Sequence, residues 1–175
     1  MSLKIVGFEL PSDPLFLTVL AIHVPLGLAA VVTGLAAMVS RKGRGKHSRV
    51  GTIYFWSLGG LFVTSSALAV MRWFDDYHLF ILGAVAFTAA AIGRAARRNR
   101  WNTTIDLHIA GMGLSYVVML TAFYVDNGKN LPVWRDLPHA MYWVLPSAVG
   151  FPLIVRALHR YWRVSAHPGP LSRPV

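Results

Sequence analysis

Polar and apolar residues fall along this chain in long blocks, with no sustained strand-like alternation. Five blocks contain no Asp, Glu, Lys or Arg: residues 14–40, 50–71, 77–93, 107–125 and 137–155, with lengths of 27, 22, 17, 19 and 19. A hydrocarbon core about 30 Å thick needs roughly 17–25 helical residues at about 1.5 Å each, so every block is long enough to cross it. Lipid cannot satisfy open backbone groups, which makes each block a helix rather than a strand. The third is the shortest, but it continues helically through Arg94, Arg97 and Arg98, whose long side chains snorkel to the interface.

The pattern predicts an all-α polytopic membrane protein, a five-helix bundle with spans at about 14–40, 50–73, 77–98, 104–126 and 137–160. Residues 1–163 read as one membrane domain, and residues 164–175, with Pro168, Pro170 and Pro174, as a disordered tail. The first span is expected to be retained. Its apolar run is about twice the usual ~7–15-residue signal-peptide core, and the segment before it mixes Lys4 with Glu9 and Asp13. The longest loop, residues 126–136, opens on the helix-stop pair Asn127-Gly128.

Composition sharpens this picture. Of 175 residues 55% are hydrophobic and 14% charged, and the mean hydropathy is +0.50, which excludes an ordinary soluble domain. The net charge of +10 would suit a nucleic-acid binder, but not at this hydropathy, so no nucleic-acid partner is expected. There is no cysteine, which rules out disulfides, thiolate nucleophiles, Cys-ligated zinc and iron–sulfur clusters. Thirteen of the 17 basic residues fall on one side of the predicted spans, leaving only Lys4, Arg72, Lys129 and Arg135 on the other with six of the seven acids. The positive-inside rule then puts the N-terminus outside and the C-terminus in the cytoplasm. The loop bearing Arg41, Lys42, Arg44, Lys46 and Arg49 is expected to touch anionic lipid headgroups.

Small residues recur at helical spacing in four spans: Gly27, Ala30, Gly34 and Ala37 below His23; Ser57, Gly60, Thr64 and Ala67; Ala84, Thr88 and Ala91; Gly111, Ser115 and Ala122 beyond His108. Such stripes let helix backbones approach closely. They also leave room beside a histidine for a flat cofactor, and both readings stay open here. Pro25 in the first span, and Pro146 and Pro152 in the fifth, each remove a helical amide, so span five is expected to be kinked or locally unwound.

Ionisable residues inside spans are functional-site candidates by default. His23 lies about 12 Å below the outer surface by helical rise, Pro146 and Tyr116 come to similar depths, and Thr64, Ser65, Ser66, Thr121 and Tyr142 fall in the same outer half. These residues, with Pro25 and Ser115, form a candidate polar pocket in the outer half. His47 and His108 lie near the inner surface, where two imidazoles would suit a divalent metal or a haem edge. Asp106 completes a capping-box pattern with Thr103 and reads as a helix cap. His78, His139, His159 and His167 fall at the boundaries. A two-haem cytochrome is disfavoured because no second histidine matches the depth of His23; Met119 comes nearest.

His23-x3-Gly27, followed by Lys42-Gly43-x3-His47-x3-Gly51 and by the run from Ser115-Tyr116 through Asp126-Asn127-Gly128, resembles a family of small bacterial predicted membrane proteins of unknown function. The resemblance covers roughly residues 15–155 and implies a bacterial inner-membrane protein, with no reaction attached. Three function classes follow from the residues: a metal- or haem b-binding redox component acting through His23, or through His47 with His108; a small-solute, proton or lipid transporter with moving spans; and a non-catalytic assembly subunit. Self-association or membership of a membrane complex is expected, because small-residue faces invite partners.

Overall fold

The computed structural model describes residues 2–5, 8–11, 13–41, 45–99, 104–132 and 134–166. Five helices carry the chain: α1 (Pro14–Val39), α2 (Lys46–Met71), α3 (Trp73–Asn99), α4 (Thr104–Asn127) and α5 (His139–Ala166). All five are long and apolar enough to cross a membrane, and the chain is a multi-pass membrane protein on that evidence. A short antiparallel hairpin precedes them, β1 (Ser2–Ile5) pairing with β2 (Phe8–Pro11) in the register Ser2 to Pro11. The hydrophobic blocks gave no sign of it. Residues 164–166, expected to begin the disordered tail, belong to α5, and residues 167–175 lie outside the described residues.

The chain divides into two compact units, Met1–Phe87 and Thr88–Val175, with α3 continuing from one into the other. In the first unit, Asp13 caps α1 by accepting from the Leu15 amide at 2.9 Å, and Pro14 occupies the first turn, where a missing N–H costs nothing. α1 and α2 pack through small residues of the stripes read from sequence. Gly27 meets Leu61, Gly60 meets Leu26, and Ala30 and Gly34 are buried. The space beside these glycines is therefore taken by side chains of the neighbouring helix.

A loop was expected between the second and third spans, but Arg72 alone joins α2 to α3. Its amide donates to the Ala69 carbonyl at 3.2 Å, and its own carbonyl accepts from the amides of Asp75 and Asp76 at 3.0 Å each. Asp75 and Asp76 thereby sit in the first turn of α3, where carboxylates favour the positive end of the helix dipole. Beyond this turn, α2 and the N-terminal half of α3 interlock by aromatic rings. Phe62 stacks on Phe87 at 5.7 Å between centroids and meets Phe80, tilted, at 6.0 Å, and Phe55 meets Phe87 at 5.6 Å. Glycines make the seats: a Cβ on Gly59 would come within 3.2 Å of the Phe87 ring, and one on Gly83 within 3.1 Å of the Phe62 ring.

The second unit is built on closer contacts. A Cβ on Gly111 of α4 would lie 2.6 Å from the Ala89 carbonyl oxygen and 2.9 Å from the Gly93 Cα, so at this point two helix backbones touch. Ala86, Ala89, Ala90, Gly93 and Ala96 are the buried positions of α3. The expected stripe of Ala84, Thr88 and Ala91 is not: Thr88 is exposed and the two alanines are half-buried. Between α4 and α5, Gly113 seats Ile154 and Gly150 seats Val117. α4 ends at Asn127, where the sequence placed its stop, and passes into a 3-10 turn over Gly128–Asn130. The Tyr142 ring covers Gly128, and its hydroxyl donates to the Trp134 carbonyl at 2.9 Å.

The unwound segment expected in span five is not observed. α5 stays helical through Pro146 and Pro152, as α1 does through Pro25. Each proline deletes one amide and leaves the flanking turns hydrogen-bonded, which a helix of 28 or 26 residues tolerates when neighbours and local adjustment satisfy the freed carbonyl.

Candidate functional site

His23 is half-buried on α1 and faces α2. Its Nδ1 lies 2.9 Å from Thr64 Oγ1. The Thr64 hydroxyl has a single proton, and two carbonyls of its own helix, Gly60 and Leu61, stand 3.0 Å away to receive it. The hydroxyl oxygen is then left to accept, so His23 Nδ1 carries the hydrogen and donates. In the neutral ring that arrangement leaves the lone pair on Nε2. An imidazole anchored at Nδ1, with Nε2 available as a base, is the form in which histidine ligates metals, because the anchor fixes both tautomer and ring orientation.

His47 and His108 repeat the device against backbone carbonyls, which can only accept. His47 Nδ1 is 3.0 Å from the Ala37 carbonyl and 3.3 Å from Ser40 Oγ, tying the start of α2 to the end of α1. His108 Nδ1 donates to the Gly93 carbonyl at 3.1 Å, tying α4 to α3. The close approach of Gly111 to Gly93 is what brings that carbonyl within reach. Thus His23, His47 and His108 each bond across a pair of helices.

The structure does not gather these histidines into one cluster. Ala37, the partner of His47, is 14 residues along α1 from His23, which separates the two rings by about 21 Å of helical rise. His108 belongs to the second unit. Among the described residues no group of three or more His, Cys, Asp or Glu side chains could hold a metal ion.

The other pocket candidates are distributed as follows. Ser65 is half-buried and donates to the Phe62 carbonyl at 3.0 Å; Ser66 donates to the same carbonyl at 2.7 Å. Ser115 is fully buried and donates to the Met112 carbonyl at 2.8 Å, and Thr121 to that of Val117 at 3.0 Å. These hydroxyls thus spend their protons on their own helices. Pro25 is exposed on α1, whereas Pro146 and Tyr142 are buried and Tyr116 is half-buried in the second unit.

Of the basic loop, Arg41, Lys46 and Arg49 are exposed, while Lys42 and Arg44 lie outside the described residues. Asp106 is half-buried in the first turn of α4 and accepts from the Trp162 indole at 2.9 Å; Thr103, its expected partner in a capping box, is outside the described residues. Sequence reasoning missed that indole contact, although the two residues share a depth by helical rise. Depth arithmetic placed Thr64 in the same outer half as His23, without pairing the two.

Neither a protein-family model, nor a curated protein, nor a solved structure matches the chain.

Proposed function

We propose that this chain is a bacterial inner-membrane protein with its N-terminus outside and its C-terminus in the cytoplasm. In this reading it is a redox component that holds a b-type haem through Nε2 of His23. The motifs around His23, Lys42-Gly43 and His47 ally it with the small bacterial membrane proteins that they resemble, and Arg41, Lys46 and Arg49 meet anionic headgroups at the inner surface.

The observation that carries the haem reading is the bond from His23 Nδ1 to Thr64, which presents Nε2 as the ligand. The ligand count decides the kind of metal. A bare zinc or copper ion needs three or four protein ligands, and no such group occurs among the described residues. A haem iron brings four nitrogens of its own and needs only one histidine from the protein. With no cysteine in the chain, the porphyrin cannot be attached through thioethers, so a haem here would be held without covalent links, as haem b is.

A second reading has its own observation. Because His23, His47 and His108 each bridge two helices, the three can act as ties in a non-catalytic assembly subunit. A transporter in which kinked spans one and five move around the His23 pocket keeps Pro25, Pro146 and Pro152 inside continuous helices.

Two variants separate the first two readings. The amide of Asn stands where imidazole has Nδ1, so His23→Asn keeps the bond to Thr64 and removes the Nε2 ligand, whereas His23→Ala removes both. The detergent-purified wild type is expected to show a reducible Soret band. His23→Asn should fold and lose that band. A colourless wild type that His23→Asn leaves unchanged and His23→Ala destabilises would establish the tie and remove the haem.

A further inference from the structure

The hairpin that precedes α1 has two unlike faces. Successive strand residues alternate between the faces of a sheet, and residues paired across two strands share one. The register pairs Leu3 with Leu10 and Ile5 with Phe8, so these four positions fall on one face. Ser2 with Pro11, and Lys4 with Glu9, fall on the other. The first face is wholly apolar, and the second holds one cation and one anion, which cancel.

A two-stranded hairpin is marginal in water and needs an apolar surface to cover such a face. Its place in the chain limits what that surface is. β2 ends at Pro11 and adjoins the start of α1, where Asp13 is the cap and Pro14 the first helical residue. Three residues span at most about 11 Å, so the end of β2 stays within that distance of a helix that enters the bilayer at Pro14. The first turn of α1 is not the cover, because Asp13, Pro14 and Leu15 are exposed. Phe16 is buried, but it lies seven residues before His23, on the side of α1 that meets α2. Leu15 and Ile22, also seven residues apart, are both exposed, and they carry the bare apolar side of α1 up to the level of the hairpin.

We propose that the hairpin is a membrane-surface element. It lies flat on the leaflet at which α1 begins, with the face of Leu3, Ile5, Phe8 and Leu10 against lipid and the face of Lys4 and Glu9 toward water. This depth also suits the backbone. A sheet of two strands has two open edges, whose N–H and C=O groups find partners among water and headgroups and none in the hydrocarbon. Because Lys4 opposes Glu9, the seating is apolar and does not depend on anionic lipid. The inference rests on the membrane-spanning reading of α1 and is independent of the role of His23.

The test is spin-label accessibility on the full chain in phosphatidylcholine vesicles. Since the sequence has no cysteine, Ile5→Cys, Phe8→Cys, Lys4→Cys and Glu9→Cys each carry a single nitroxide. Labels at positions 5 and 8 should be relaxed by oxygen and shielded from a water-soluble nickel chelate, at about 5–10 Å below the headgroup boundary. Labels at positions 4 and 9 should show the reverse. Added phosphatidylglycerol or high salt should leave these depths unchanged. Leu10→Asp should open the label at position 8 to nickel, while a label at Leu28→Cys, on an exposed site of α1, stays in lipid and reports that the helix still inserts. Nickel reaching all four hairpin positions alike overturns the proposal. So does shielding of positions 5 and 8 from both reagents, which would seat that face on protein, either this chain's own helices or a second copy. Depths that follow the phosphatidylglycerol content overturn it as well, by making the attachment one of charge.

Discussion

Glycine carries more of this structure than any charged residue, and its positions are not equivalent. Gly111 faces a backbone carbonyl that cannot swing aside, whereas a Cβ on Gly51 would meet nothing within 4 Å. Gly111→Ala is expected to lower stability by about 3 kcal/mol, the upper end of the usual cost of overpacking. Gly51→Ala, inside α2, should raise it by about 0.5–1 kcal/mol by relieving the helix of a flexible residue. Unfolding titrations in mixed micelles would show both signs, and a neutral Gly111→Ala would disprove the backbone contact. The polar ties are weaker. Thr64→Val removes the acceptor of His23 and should cost about 0.6–1.7 kcal/mol, the range of hydrogen bonds between membrane helices. A stripe of small residues beside a histidine reads equally as a packing face or as room for a cofactor. Leucines fill the space beside Gly27 and Gly60, so a haem held by His23 would not lie in that stripe between α1 and α2. Which tautomer His23 adopts was not legible, since that depends on where the Thr64 proton goes.

Helix lengths were legible to within a few residues because the bilayer imposes them, and faces were legible where small residues are scarce. In α1 and α2 the glycines form one stripe and the packing follows it. In α3 small residues surround the axis: Gly83, Ala84, Ala86, Ala89, Ala90, Ala91, Gly93, Ala95 and Ala96 all qualify. Periodicity therefore could not choose among them, and the stripe read from sequence missed the buried set. What selects the face in its N-terminal half is the ring ladder, with Phe55 and Phe62 seven residues apart on α2 and Phe80 and Phe87 seven apart on α3. Phe62 lies at its centre, over Gly83, while Phe74 is 94% exposed. Phe62→Ala should cost about 3 kcal/mol, the low end for a core phenylalanine, since lipid takes over the apolar transfer term and only packing is lost. Phe74→Ala should leave the melting temperature within a degree or so, a surface change away from any contact. Equal effects would mean that the ladder does not hold α2 against α3.

At the scale of the whole molecule, the odd number of spans puts the two ends of the five-helix stretch on opposite sides of the membrane, and charge chooses which side is which. The side bearing 13 of the 17 basic residues holds the connections after α1 and α3 and the end of α5, and Asp75, Asp76, Asp126 and Asp136 lie at or beside the connections after α2 and α4. Absence of cysteine makes this directly testable, because any introduced thiol is the only one in the chain. Ser48 and Asn130 are exposed, in the first turn of α2 and in the 3-10 turn after α4, respectively. An impermeant maleimide applied to intact cells should label Asn130→Cys and should reach Ser48→Cys only after permeabilisation. The reverse pattern would invert the topology and move the C-terminal ends of α3 and α5 to the outer leaflet. Labelling of both positions from one side would be worse for the reading, because three intervening helices, α2, α3 and α4, must separate those two positions if each of them spans. The charge bias and the helix count are thus tested together by two single substitutions, and a failure of one can be told from a failure of the other.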